Sequence, residues 1–575
     1  MSVALPLRHA VVLSLTLMWA ALPGLALRTP PIPGCFSRGL AVAELNQRET
    51  PAILAWDNAT WLVWSAAEGG TLVPLLGRVE PSGKLGDPKA ILLSGDILYA
   101  GAPQLVATEG GPWLLFLARE ATDAPRRLYT VPLGPEGEVL SSPHQLEPDS
   151  GAGIRSYFSL AKAGEIWIAA EDVAGALWLF HMDAATAEVD TWYLGRGEAP
   201  VLAVGKGLHL VWAAETGGLY RLMYSQLARE GPSPPVELKG FSLATGTIPS
   251  PPALALGADW VYAAVGFEYR GGELAGTAEV WICAFPQGHP QECTSYSLRL
   301  PGVAPDQYPL RAAGLCLAPL PPQATVRPTN LYLPRGAPET EGYALLTLGA
   351  KLYQGNSSQV QPVLVALAGG QPVAWAPIAA SRDFSYATVL DRSSRGWHAA
   401  WLDMLGYGEY RIYYAATPAE EREALDRVGW DDVAYFLGTA ASGIVGGLAL
   451  IPLFLMASVP GLVLIFFHYV IGGEESLRYR WPKFLLALSL LPYLILKLAL
   501  AGMFGGMPFA QWLSQPVASA AARVIPFVPV MLGTAALFLY IRRSAEPTVF
   551  PAWATFVVSD LLFTVIIVGP AFAGG

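Results

Sequence analysis

The sequence predicts an all-β propeller of about seven four-stranded blades followed by an all-α transmembrane helical bundle. Three observations point there. A Trp- and Tyr-rich hairpin pattern recurs between residues 51 and 416. Long apolar segments fill residues 433–575. Only 14% of the 575 residues are charged and 53% are hydrophobic, whereas soluble domains carry about 25% charged residues. Mean hydropathy is +0.38, as a chain with a membrane portion requires. The net charge of −10 argues against a general affinity for nucleic acid. The 59 Gly and 49 Pro supply the turns that many short strands need.

Residues 1–26 have the form of a secretory signal. Arg8 and His9 precede an apolar run from Ala10 to Leu22, and Gly24 and Ala26 fit a cleavage site after Ala26. The alternative is an uncleaved anchor helix; either way the following segment is exported. Cys35 ends an Ile-Pro-Gly-Cys stretch, but Arg28 and three prolines separate it from the apolar run, which argues against lipidation. The four cysteines, Cys35, Cys283, Cys293 and Cys316, all lie in the exported part, where disulfides persist. Cys283 and Cys293 bracket a hairpin tip, which leaves Cys35 and Cys316 for a long-range staple. No cysteine spacing matches a zinc site.

Residues 27–416 read as the extracytoplasmic propeller. In "LHLVWAAETGGLYRLMYSQL" (208–227) two strands flank a Gly-Gly turn. The same plan recurs in "AILAWDNATWLVWSA", "QLVATEGGPWLLFLA", "FSLAKAGEIWIAAED", "PALALGADWVYAAVG" and "ATVLDRSSRGWHAAWLD". Trp64, Phe116, Ile168, Trp212 and Tyr262 mark equivalent points at intervals of 52, 52, 44 and 50 residues, which suits one blade of four short strands. The blades are expected near 51–93, 103–146, 156–194, 199–241, 251–300, 308–380 and 384–416, the sixth carrying a Pro-rich insertion. The last lacks an outer strand, which residues 39–45 are placed to supply, so removing an open sheet edge. Trp64, Trp167, Trp212, Trp260 and Trp401 are expected between blades, where flat rings bury large areas; the alternative for any one of them is stacking on a sugar.

These hairpins, "LHLVW…LYRLMYS" and "WHAAW…YRIYY" above all, resemble the blades of sialidase-like (BNR-type) propellers over residues 36–416. The resemblance implies architecture only. The Ser-x-Asp-x-Gly-x-x-Trp box of that family occurs in no turn, and its early Arg-Ile-Pro is missing, so no catalytic residue carries over.

Residues 417–432 are charged and helix-prone and are expected as a juxtamembrane stalk. The transmembrane domain, 433–575, is expected to have about four helices at 433–471, 484–507, 516–541 and 549–573. The first is long enough to be a broken helix, a span with a re-entrant piece, or a tight pair, and Pro452 and Pro460 permit a break. One net crossing there puts Arg478, Arg480, Lys483, Arg542 and Arg543 in the cytoplasm and the C-terminus outside, obeying the positive-inside rule. Lys497, Arg523 and Asp560 fall within the later spans, where charge is costly. They are expected first as an interhelical pair of Asp560 with Lys497 or Arg523, or as snorkelling of the two cations; the alternative is a proton or ion relay or an anion site.

No G-x-x-x-x-G-K, G-x-S-x-G, H-E-x-x-H or C-x-x-C motif occurs, and neither a cofactor nor a metal is expected. His144, His181, His209, His289 and His398 show no shared spacing. Asp57, Glu171, Glu215, Glu268, Asp391 and Asp403 lie near second strands, where a glycosidase pair would sit; otherwise they are solvated turn carboxylates. The expected function is a membrane-anchored binding or assembly module of the cell envelope. Its partners are the lipid bilayer and either a protein or a glycan on the propeller face. A membrane-bound glycoside hydrolase or lyase, and a transporter or signalling component using Asp560, Arg523 and Lys497, are the alternatives.

Overall fold

The computed structural model describes residues 34–569, apart from 69–70, 94–96, 149, 229–230, 328, 339, 341, 355–356, 382, 428, 474, 501–519 and 521–522. The expected signal segment and parts of the second, third and fourth expected spans lie outside the described residues. The chain divides into two compact units, one of residues 28–353 and 358–427 and one built mainly of residues 428–575.

The first unit is a β-propeller. Its hairpins form as the sequence suggests. Leu208–Thr216 and Leu219–Ala228 pair antiparallel, with Leu208 opposite Leu227 and Trp212 opposite Met223. Gly217 and Gly218 turn the chain at φ 63° and 77°, the paired left-handed conformation that matches strand twist in a two-residue hairpin. The second strands are buried on both faces: Gly111–Arg119 is buried from Gly111 to Ala118. This is why they read as continuous apolar runs rather than as alternating ones. Trp61 and Val63 share a cluster with Leu114 and Phe116 of the next hairpin, while Leu62 and Trp64 cluster with Leu402 and Tyr414 of the last sheet. One strand therefore seals against neighbours on both sides, and the ring closes.

The described strands make six hydrogen-bonded sheets, which corrects the expected seven blades of four strands. The first two expected blades are fused through a parallel pair, Leu72 with Tyr99, into one eight-stranded sheet. Ahead of the expected insertion, Leu310–Ala312 and Leu315–Pro319 lie at one edge of a six-stranded sheet, beside Gln371–Pro377, and the Pro-rich stretch itself supplies the strand at the opposite edge, Leu331–Gly336. The last sheet is completed by Leu40–Leu45, with Leu40 opposite Tyr414 and Leu45 opposite Tyr410. Disulfides join Cys35 to Cys316 and Cys283 to Cys293, with Cα atoms 5.2 and 5.7 Å apart.

Helix α1, Ala419–Asp426, lies in the segment expected as a stalk, but it packs on the sheets. Glu421 and Leu425, one turn apart, are both buried. Leu425 enters the cluster of Trp64 and Val79. The Arg38 amide donates to Asp426 Oδ1 at 2.8 Å and the Tyr414 hydroxyl to Glu421 Oε2 at 2.7 Å. Gly83, at φ 75°, allows the approach, since a Cβ there would stand 3.1 Å from the Cβ of Ala424.

The second unit holds α2 (Trp430–Gly447), α3 (Leu450–Val470), α4 (Arg480–Leu500), α5 (Val528–Arg543) and α6 (Val549–Ile567). Four stretches are long and apolar enough to cross a membrane: Gly443–Val470, Arg480–Ala499, Ile525–Arg543 and Val549–Ile567. The expected break in 433–471 falls at Leu448 and Ala449 rather than at a proline. Pro452 sits in the first turn of α3, where its missing N–H costs no helical bond, and Pro460 is inside that helix.

Candidate functional site

Antiparallel pairing brings the start of each inner strand and the end of its second strand to one end of the ring. Ser156 lies opposite Glu171, Ile248 opposite Glu268 and Ser385 opposite Asp403. Glu171, Glu215, Glu268 and Asp403 therefore share this leading end, and Asp57 and Asp391 occupy the other. Five inner strands among the described residues carry a register shift there, and in four of them a non-glycine residue is left-handed. Ala102, Ala199, Leu333 and Ala387 adopt φ of 52°, 48°, 47° and 55°, each beside a register shift. Left-handed backbone costs a residue with a Cβ about 1–2 kcal/mol, and such strain gathers at functional sites.

Neighbouring carboxylates hold two of these bulges. Glu49 accepts the Ala102 amide and, at 3.0 Å, the Ser65 amide. Glu171 accepts the Ala199 amide at 3.1 Å, the Ser156 hydroxyl at 2.9 Å and an Arg155 N–H at 2.6 Å. Asp403 accepts the Ser381 hydroxyl, and the Ser385 hydroxyl at 2.6 Å. Burial pushes the Asp403 carboxyl up to about 7, against the opposing pull of those two hydroxyls, and raises Glu49 as well. Burial also raises Glu198, helped by the like charges of Glu171 and Glu215. Glu215 and Asp57 are exposed. At the opposite end Asp391 accepts the Ala55 amide at 2.6 Å, and burial raises it to about 6.

A cavity of about 420 Å³ opens among the inner strands at the leading end. Phe267, Leu331, Phe384 and Met404 wall it, with Tyr332 and Tyr386. Arg48 lies over the Tyr386 ring, 4.6 Å from its centroid, in cation–π geometry. Tyr386 is 3% exposed, and its hydroxyl has no hydrogen-bond partner among the described residues. Burial pushes that phenol upward, against the pull of Arg48. Behind Arg48, Arg335 donates to Thr50 Oγ1 at 2.8 Å. Burial and the like charge of Arg48 hold its guanidinium down to about 10. Neither Arg48 nor Arg335 forms an ion pair among the described residues. Arg270 pairs with Glu268 at 2.9 Å on the cavity wall. Arg48, Arg335 and Tyr386 are absent from the sequence-derived candidates. Their only signal is position near the start of inner strands, which needs the register to be known.

Two histidines correct the expectation of no shared spacing. His209 and His398 each stand second in a second strand, three residues before Trp212 and Trp401. Each Nδ1 lies 2.7 Å from a third-strand hydroxyl, of Tyr224 and Tyr414 respectively. Burial lowers both imidazoles to about 4. His398 also meets the Thr60 hydroxyl at 2.9 Å, bridging the last sheet to the first. His181 stacks on Trp167, with ring centroids 4.2 Å apart; His144 and His289 are exposed. Trp64, Trp167, Trp212 and Trp401 are buried in the core and Trp260 is partly buried. Among the described residues no three His, Cys, Asp or Glu side chains group as a metal set.

In the helical unit Lys497 and Asp560 come together. Lys497 Nζ lies 2.6 Å from each Asp560 oxygen and 2.7 Å from Thr564 Oγ1. The Tyr493 hydroxyl also donates to Asp560. Asp560 is fully buried and Lys497 nearly so, whereas Arg523 is exposed.

No family model and no curated protein matches the chain. Similar solved structures include a neuraminidase-like protein from A/bat/Guatemala/164/2009, with 13% identity, TM-score 0.33, and coverage of 58% of this chain and 92% of that one. Trypanosoma rangeli sialidase matches at 8% identity and TM-score 0.37, over 71% of this chain and 58% of its own. The β-propeller domain of the Trilobed protease from Pyrococcus furiosus matches at 9% and 0.36, over 62% and 92%. The neighbours are thus sialidase- and neuraminidase-like propellers among others, and none of their activities carries over at these values.

Proposed function

We propose that the chain is a membrane-anchored extracytoplasmic propeller that acts as a binding and assembly module, a subunit of a membrane complex of the cell envelope. The leading-end cavity carries this reading. It offers recognition groups, an unsatisfied phenol and guanidinium groups without counter-ions, set among apolar walls. The nearby carboxylates Glu49, Glu171 and Asp403 are occupied in holding backbone and hydroxyl groups. Four spanning-length stretches exceed the single helix that anchoring needs, which supports partners within the bilayer. Two disulfides support an oxidising compartment for the propeller. The basic clusters at Arg478–Lys483 and Arg542–Arg543 then face the cytoplasm and the C-terminus faces outward. The fully engaged Lys497–Asp560 pair supports a static tie between α4 and α6 over an ion relay.

The test is capture from native membranes. The tagged full chain is solubilised in mild detergent, crosslinked, and its companions identified by mass spectrometry. The expected result is stoichiometric partners linked to the leading end or to the helices. A clean, uncrosslinked monomer would overturn the assembly reading.

A further inference from the structure

We propose that the leading-end cavity takes an acidic polypeptide segment, seating an apolar side chain between Phe267, Phe384 and Met404 and an adjacent carboxylate against Arg48 and the Tyr386 hydroxyl. This rests on the binding-module reading and names the ligand of that module. Charge is the first support. Arg48 and Arg335 are close enough to repel, and neither has a carboxylate partner among the described residues, although the chain as a whole carries −10. Arg48 is exposed and Arg335 half-buried, so an incoming carboxylate can reach a guanidinium at the cavity mouth and offset the repulsion between the two cations. The second support is the orphaned hydroxyl. Tyr386 is buried beneath a guanidinium, and its hydroxyl, beside that of Tyr410, makes no hydrogen bond of good geometry among the described residues; one carboxylate accepts from both the phenol and Arg48, in bonds stronger than neutral ones.

The walls decide between a peptide and a sugar. Leu331 and Met404 present no hydrogen-bonding side chains, and the Ser250 hydroxyl already accepts the Gly266 amide at 2.9 Å. The polar groups Arg48, Tyr386, Tyr410, Glu268 and Arg270 lie around these apolar walls, so a mixed apolar and acidic segment matches the lining better than a surface of hydroxyls alone. A Leu or Phe side chain asks only for apolar contact, and the thioether of Met404 adapts to its shape. Glu268, paired with Arg270, repels a second acid on its side of the cavity, which sets the carboxylate toward Arg48.

The experiment uses the full chain in lipid nanodiscs and fluorescein-labelled Gly-Phe-Glu-Leu-Gly, its Gln-for-Glu twin, and an oligosaccharide of uronic acids. Binding is read by anisotropy for the natural chain, Arg48→Ala and Tyr386→Phe. The acidic peptide is expected to bind saturably. Its Gln twin and the Arg48→Ala protein should each weaken binding by on the order of tenfold, the worth of one charge-assisted contact. Tyr386→Phe should weaken binding several-fold without lowering the melting temperature, because it deletes an unsatisfied group and keeps the ring. Equal binding of the Glu and Gln peptides, an unaffected Arg48→Ala protein, or no peptide binding would each overturn the proposal. So would binding of the oligosaccharide alone, which would make the cavity a glycan site. Capture by the Arg48→Ala protein separates the two readings. If it retains the same membrane partners as the natural chain, the cavity assignment falls and the binding module stands.

Discussion

Asp403 is an acid held where its charge is unwelcome. Its folded value of about 7 lies above the unfolded value near 3.8, so between those limits the folded chain holds more protons than the unfolded one. Stability from this group is fully present at low pH and is lost as pH rises through about 7, with a slope that cannot exceed about 1.4 kcal/mol per pH unit. Asp391, raised to about 6, acts in the same sense. His209 and His398, lowered to about 4, act oppositely between about 4 and 6.5. The informative quantity is therefore the difference between the natural chain and Asp403→Asn, measured by thermal melts from pH 4.5 to 8. The variant is expected to gain relative stability as pH rises; parallel curves would show that Asp403 does not titrate in this range. Residues of this kind were only half legible. Asp403 was recognisable as a strand-end carboxylate, and the His-x-x-Trp repeat stood in the sequence unread. Tyr386 and Arg48 were invisible, because nothing local says that a tyrosine will be buried without a partner.

Among the elements, α1 departs most from its sequence-based expectation. Its charge density reads as a solvated stalk, yet the single buried Leu425 and the pairings of Glu421 and Asp426 fasten it across the seam between first and last sheets. Leu425→Ala is expected to cost about 2–5 kcal/mol, seen as faster amide exchange in Leu40–Leu45 and Glu409–Ala416. Unchanged protection there would mean that α1 is a passenger. A second test concerns α4 and α6. Lys497→Met alone strands the Asp560 carboxylate and should destabilise the detergent-solubilised chain by roughly 3–5 kcal/mol. The double variant with Asp560→Leu should recover most of that. A single variant as stable as the natural chain would remove the pair from the architecture. Helix lengths and apolarity made these helices legible, whereas the choice of Lys497 over Arg523 needed the packing of α4 on α6.

At the scale of the whole molecule, the recurring aromatic hairpin announced a ring, because only stacked sheets bury both faces of a second strand. The number of sheets was not legible. Repeat spacing records chain length per unit, whereas hydrogen bonding between Leu72 and Tyr99 decides that two units become one sheet. The Pro-rich insertion similarly hides the strand Leu331–Gly336, and Leu315–Pro319 ahead of it finds its partner, Gln371–Pro377, more than 50 residues away.

The N-terminal strand that completes the last sheet also sets a timetable. A chain delivered N-terminus first presents Leu40–Leu45 almost at once, but its partner Glu409–Ala416 arrives last. For all of that interval the early strand must wait, and it is short, at six residues, and carries Glu44, features that discourage pairing with strangers. Sealing can occur only once Glu409–Ala416 has been made, just before α1 and the helical unit. The ring therefore acts as its own inspector: a fault anywhere between the two strands leaves the early strand unclaimed when synthesis moves on to the long apolar helices.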